Sequence, residues 1–423
     1  MNRSTAICRG ALTLLLLVSL LPAAARGDGE PAGEVTDDAL ERARQLLAET
    51  PLVDTHNDLP WVIREKLDGD VEGYDISVRA RWDTDIPRLR EGGVGVQFWS
   101  VYVPSSLEPF EAMRAQLEQI DIARRMIATY EDLGWAESVA DIARELEAGR
   151  IASLLGIEGG HTIGNSLGAL RAYYDLGVRY MTLTHFNSND WADSATGEKR
   201  HGGLSEFGRE VVREMNRLGM MVDLSHVSAE AMADALDTSE APVIFSHSSA
   251  RALTAHVRNV PDEILERLAD NGGVVMVTFI PSFVSEEVRH WEGDLMPKLA
   301  EASTDEEWRR IVEAHVAEKG PAPRATISAV ADHVEHVARV AGIEHVGIGG
   351  DYYGAESESE LVEGLEDVSK YPYLFAELVE RGWSEDDLRK LAAENVLRVL
   401  AEVEAVAARL RAARPPSLLR LEE

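Results

Sequence analysis

Residues 51–58 read PLVDTHND: a short apolar run that ends on His56 and Asp58. Five more segments close the same way: IASLLGIEGG on Glu158, VRYMTLTHF on His185, MMVDLSHV on His226, APVIFSHSS on His247 and HVGIGGDYYG on Asp351. Packing does not require a strand to finish repeatedly on His, Asp or Glu. Several strand ends of this kind converging on one point would form a metal site, so the pattern predicts an architecture and a chemistry together.

Outward from these segments, strand-like and helix-like stretches alternate. Candidate strands cover 51–56, 93–102, 151–158, 178–186, 220–227, 242–248, 273–280 and 345–351. Most are continuous apolar runs, as expected of parallel strands buried on both faces. Amphipathic helical patterns separate them, and Gly177, Gly219, Gly272 and Gly342 follow helix ends, where a left-handed residue is wanted. Eight strands with intervening helices predict a (β/α)8 TIM-like barrel, whose active site forms at the C-terminal strand ends. One domain is expected over 36–413, followed by a tail at 414–423. The long connections 57–92 and 281–324 are expected to fold over the site as lids. Thr36 is placed to cap a first helix, and Ser384 a late one with Asp387 as its partner.

The chain has 423 residues, 45% of them hydrophobic, and a formal charge of −32. That charge argues against nucleic acid as a partner, since phosphate binding needs a basic face. Residues 1–25 carry Arg3 and Arg9, an apolar stretch from Ala11 to Leu21 and the small residues Ala23 to Ala25. This is the pattern of a secretory signal peptide, so export to a periplasm or the exterior is expected. An uncleaved N-terminal membrane anchor is the alternative. A Gly/Pro/Glu-rich linker is expected at 26–35. The only cysteine, Cys8, lies in the signal, which leaves the mature chain without disulfides or a thiol nucleophile.

His56 and Asp58, two apart, would point to the same side of a strand end. The competing reading makes Asp58 a helix cap. Glu158 gains nothing from packing, and a buried carboxylate without a partner costs several kcal/mol. Two cations bridged by it are the natural partner. With His226 and His247, it gives an N/O donor set suited to zinc. Asp351 suits a proton carrier, although a ligand role stays open. Other motifs are set aside. GNSLG at 164–168 resembles a nucleophile elbow, but no strand precedes it and Asn165 or Ser166 suits a helix cap. His333 and His336 lie on a helix away from the strand ends, and His345 opens a strand; both sets read as structural.

The motifs THNDLPW (55–61), GIEGGH (156–161), TLTHFNSNDWADS (182–194), VDLSHVS (222–228), PVIFSHSSAR (242–251), RNVPDE (258–263) and GIGGDYYG (347–354) together resemble the membrane (renal) dipeptidase family. These are zinc-dependent dipeptidases built on amidohydrolase-type barrels. The resemblance spans roughly 45–400. It implies two Zn(2+) ions, one held by His56, Asp58 and Glu158, the other by Glu158, His226 and His247. It also implies a metal-activated water attacking a dipeptide, Asp351 as acid/base, and His185 and Arg258 as substrate and transition-state contacts. A homodimer is compatible with it. The mammalian disulfide and lipid anchor do not carry over, because the cysteines and the apolar tail are lacking. Phe283 stands where the mammalian enzymes are expected to carry a tyrosine, which would remove one substrate hydrogen bond. A lactonase or phosphoesterase of the same fold is the rival, but H-x-D replaces its usual H-x-H and no Lys ends the fourth strand. A non-catalytic secreted binding protein is a more distant alternative.

Overall fold

The computed structural model describes residues 35–299, 302 and 304–421. The expected signal peptide and nearly all of the expected linker lie outside the described residues. Among the described residues, nine parallel strands form the sheet: β1 (Leu52–Asn57), β2 (Val94–Ser100), β3 (Leu133–Trp135), β4 (Ile151–Glu158), β5 (Val178–Thr182), β6 (Met221–Asp223), β7 (Ile244–Phe245), β8 (Val274–Val277) and β9 (Val346–Ile348). Eight close a barrel in the order β1-β2-β4-β5-β6-β7-β8-β9, with β9 pairing back to β1. This is the expected (β/α)8 architecture.

The ninth strand was not expected. β3 pairs with the start of β4 (Leu133 opposite Ile151), whereas β5 pairs with its end (Glu158 opposite Thr182), so the two share one edge of β4 at different heights. The chain between β2 and β4 therefore carries a helix, Pro109–Thr129, and this strand; a further helix, Val139–Glu147, leads into β4. The later strands are shorter than the apolar runs that announced them. β6 stops at Asp223 and β9 at Ile348, because the chain turns into left-handed geometry just beyond, at His226 (φ 69°) and Asp351 (φ 62°). Ladder pairing cannot continue through such residues.

The outer helices bury one face each. In Glu206–Leu218 the buried Phe207, Val211, Met215 and Leu218 recur at helical spacing, and Gly219 (φ 93°) closes the helix. Thr36 accepts from the Ala39 amide and caps the helix Asp37–Glu49, as expected. Ser384 caps Glu385–Arg389, but that helix is interrupted by a π turn at Lys390–Glu394 before Asn395–Ala413. One main apolar core surrounds the barrel. A small separate core of Leu295, Leu299, Trp308 and Val312 holds together the helices Glu286–Leu299 and Asp305–Lys319, within the expected second lid. The first expected lid is tied to the loop after β9: Lys66 bonds the Gly354 carbonyl and Glu356, and Asp83 accepts from the amides of Gly354 and Ala355.

Candidate metal centre

All seven acidic or imidazole residues that close apolar runs meet at the C-terminal mouth of the barrel. Glu158, the last residue of β4, is central. Its Oε1 lies 2.9 Å from His226 Nε2, 3.3 Å from His247 Nε2 and 3.5 Å from His185 Nε2. Its Oε2 faces the other way, 3.6 Å from His56 Nε2. His56 Nε2 is also 3.7 Å from Asp58 Oδ2 and 3.8 Å from Asp351 Oδ1. Three triads each gather a donor atom per residue within 4.8 Å: His56–Glu158–His247, Glu158–His185–His226 and His56–Asp58–Asp351.

The alternative role for Asp58 fails. It occupies the N-cap position of helix Leu59–Leu67, yet its side chain makes no capping bond, and its Oδ1 is buried without a partner. The carboxylate turns to the cluster instead. His226 and Asp351 hold left-handed backbone angles that non-glycine residues adopt at a cost of about 1–3 kcal/mol, a strain typical of functional positions. Asp351 is held by its amide on the His56 carbonyl, at 3.1 Å.

Burial and mutual charge set the electrostatics. Burial would raise Glu158, but His185, His56, His226 and His247 hold it well below the usual carboxylate range. Burial pushes Asp351 up to about 7, with Asp58 and Glu158 adding to it against His56 and Arg258. Burial also holds His226 and His247 well below the usual imidazole value and takes His185 to about 3. For His56 burial acts downward, but Tyr180, Glu158 and Asp58 together leave it well above. Arg258, 1% exposed, is drawn down to about 10 by burial, against Asp351 and Glu158. Its Nε and Nη1 have no partner in the protein.

The donor set fits divalent cations. The buried Asp58 and Glu158 and the half-buried Asp351 lie against imidazoles whose Nε2 atoms face them. Carboxylates crowded together away from bulk water stay ionised only with compensating positive charge. His56 Nε2 and Asp58 Oδ1 are buried with no hydrogen-bond partner, as ligand atoms awaiting a cation would be. Nitrogen and carboxylate oxygen in this mixture suit zinc-like ions.

The residues set aside stay away from the centre. Ser166 caps the helix Leu167–Asp175 behind a 3-10 turn rather than a strand. His333 accepts from the Ala250 amide, His336 pairs with Asp262, and His345 Nδ1 meets the Gly273 carbonyl. Inside the barrel lies a layer that sequence reasoning missed: Asp54, Tyr180, Asp223 and Ser246, all 0% exposed. Asp54 accepts from Gly350 N, Gln97 Nε2 and Tyr371 Oη at 2.9, 3.0 and 2.8 Å, linking β1, β2, the loop after β9 and helix Tyr371–Glu380. The available signal was an acid inside an apolar run just before a candidate ligand, as in LVDTH and MMVDLSH. Tyr180 carries no such signal. It reaches His56 because Gly156 lies beside it on β4; a Cβ there would stand 1.9 Å from its ring.

The profile of the membrane dipeptidases (peptidase family M19) matches residues 40–414. Dipeptidase 3 of Mus musculus is 42% identical over 371 residues, 86% of this chain and 67% of that protein. The crystal structure of the probable dipeptidase PvdM from Pseudomonas aeruginosa superposes with a TM-score of 0.75 at 23% identity, covering 88% of this chain and 99% of that one. A metallo peptidase from Rhodobacter sphaeroides, solved with a phosphinate mimic of the dipeptide L-Ala-D-Ala, gives 0.69 at 24% identity, covering 84% and 99%.

Proposed function

The chain belongs to the membrane dipeptidase family of metallopeptidases, and on that premise we propose that it hydrolyses dipeptides at a centre of two zinc ions. In this reading His56, Asp58 and Glu158 would hold one ion, and Glu158, His226 and His247 would hold the other. The opposed faces of Glu158 support its place as the bridge. One observation carries the step from a metal hydrolase to a dipeptidase. Arg258 is a buried guanidinium with two unpartnered nitrogens, close enough to Asp351 and Glu158 to feel their charge. A planar fork of this kind suits the free carboxylate of a small substrate.

The chemistry that cations held by these residues would supply is acidification of a water and polarisation of the scissile carbonyl. Arg258 then sets the substrate's register by pairing with its C-terminal carboxylate. His185, at the rim of the cluster, donates to the oxygen that becomes anionic. Asp351 takes the water's proton on its carboxylate and delivers it to the leaving amine. Trp61, Tyr102, His185 and Phe186 form a run of touching rings, with centroids 4.8, 4.8 and 4.0 Å apart, that helps exclude bulk water. Phe283, 5.1 Å from the Arg258 guanidinium, supplies a face but no hydroxyl, so fewer polar contacts select the substrate. The segment 281–324 is read as a lid that limits substrate length. Export is read from residues 1–25 and from nothing in the fold; no described helix is long and apolar enough to cross a membrane.

The test is a substrate panel on zinc-loaded protein, with Gly-Leu and L-Ala-D-Ala set against their C-terminal amides, lactones and phosphoesters. Turnover of the free dipeptides above all others supports the reading. Preference for lactones or phosphoesters would replace it.

A further inference from the structure

A neutral imidazole carries one N–H, on either Nδ1 or Nε2, and only the bare nitrogen can hold a cation. We propose that Tyr180 and the Asp223–Ser246 pair are positioning residues that fix this choice in His56 and His247, turning a bare Nε2 of each toward the centre. The inference rests on the zinc reading above and extends it to residues outside the ligand set.

His56 Nδ1 lies 2.8 Å from Tyr180 Oη, and Tyr180 Oη lies 3.0 Å from the Thr55 carbonyl oxygen. A carbonyl can only accept, so the single phenolic proton goes to Thr55. The phenol then offers His56 only a lone pair, and Nδ1 must carry the imidazole hydrogen. His247 repeats the logic through a hydroxyl. Its Nδ1 is 2.8 Å from Ser246 Oγ, and Ser246 Oγ is 2.6 Å from Asp223 Oδ2. Asp223 also accepts from the amides of Ser246 and Ser225 at 2.8 and 3.1 Å and from the Thr182 hydroxyl. That crowd of donors keeps it an acceptor, so the Ser246 proton is committed and His247 Nδ1 must donate.

Both Nε2 atoms point at Glu158. In contrast, Nδ1 of His185 and of His226 is buried with no partner. Each proposed zinc site therefore contains one imidazole of fixed tautomer, His56 in one and His247 in the other. Because Tyr180, Asp223 and Ser246 are fully buried, bulk water cannot take their place. Loss of such an outer partner weakens a metal site by roughly 10- to 100-fold.

The experiment measures zinc affinity by competition with a chromophoric chelator in the wild type, Tyr180→Phe and Ser246→Ala. The cobalt(II)-substituted wild type is examined in parallel by proton NMR. In each variant one of the two ions should bind roughly 10- to 100-fold more weakly while the other stays near its wild-type affinity. The cobalt protein should show shifted exchangeable Nδ1–H resonances. Variants that bind both ions as tightly as the wild type would overturn the inference while leaving the zinc reading intact. So would a cobalt spectrum without exchangeable imidazole signals, which decides the matter even if a variant does not fold. A wild type that takes up no metal would instead remove the zinc reading itself.

Discussion

Replacing Arg258 by methionine separates recognition from folding. Arg258 is 1% exposed, and its Nε and Nη1 bond nothing in the protein. Methionine of similar length removes a buried cation without orphaning a hydrogen-bond partner of those two atoms. The loss of attraction to Asp351 and Glu158 is offset by the relief of desolvation, so the melting temperature should move by only a few degrees. Activity should respond very differently. Two charge-assisted hydrogen bonds to the substrate carboxylate, at about 1.5–3 kcal/mol each, are together worth about 3–6 kcal/mol. At 1.36 kcal/mol per decade this is a fall of roughly 10²- to 10⁴-fold in kcat/KM. The assay pairs two enzymes with two substrates, a dipeptide and its C-terminal amide. Wild type should lose about as much on passing from acid to amide as the variant has already lost, and the variant should scarcely distinguish them. Arg258→Met protein within tenfold of wild type on the free dipeptide, or wild type that cleaves the amide equally well, would refute the assignment.

Asp351→Asn, with metal content unchanged, should lower kcat by roughly 10²- to 10⁴-fold, and undiminished turnover in a metal-replete variant would remove Asp351 as the proton carrier. Asp54→Ala leaves Gly350 N and Tyr371 Oη without their acceptor, while Gln97 Nε2 keeps the Asp54 and Phe98 carbonyls, so denaturant unfolding should show a loss of about 2–3 kcal/mol or more. Burial takes His333 down to about 4, and it accepts from the Ala250 amide as the neutral ring. Its folded value lies below its unfolded value near 6.5, so the unfolded chain binds the extra proton between the two. Its contribution is complete above about pH 6.5, falls by about 3 kcal/mol toward pH 4 and then levels off. His333→Gln should flatten that acid limb by about one proton in stability-against-pH measurements.

The site was legible in the sequence for a physical reason. His56, Glu158 and His247 interrupt apolar runs at positions where burial without a partner is costly, so their type and place already imply a ligand. The barrel followed from the same runs, since β1 and β4 are buried throughout. Strand ends were less legible: the apolar run continues past Asp223 to Leu224, and two glycines that carry no period follow Ile348, whereas pairing stops before the backbone turns at His226 and Asp351. β3 was hidden because three residues, LGW, carry no period. The outer partners were hidden for another reason. Tyr180 sits in VRYMT as an ordinary strand aromatic, and only the space left by Gly156 on the neighbouring strand brings its hydroxyl to His56. Such a relation between residues 24 apart along the chain is set by strand register, which a one-dimensional pattern does not contain.

The most direct test of the central claim is a titration of zinc into metal-stripped protein, with dipeptide hydrolysis followed at each step. Turnover should be absent without metal, and activity should level off at two ions per chain. Full activity in the stripped protein, or saturation at a single ion, would contradict the claim.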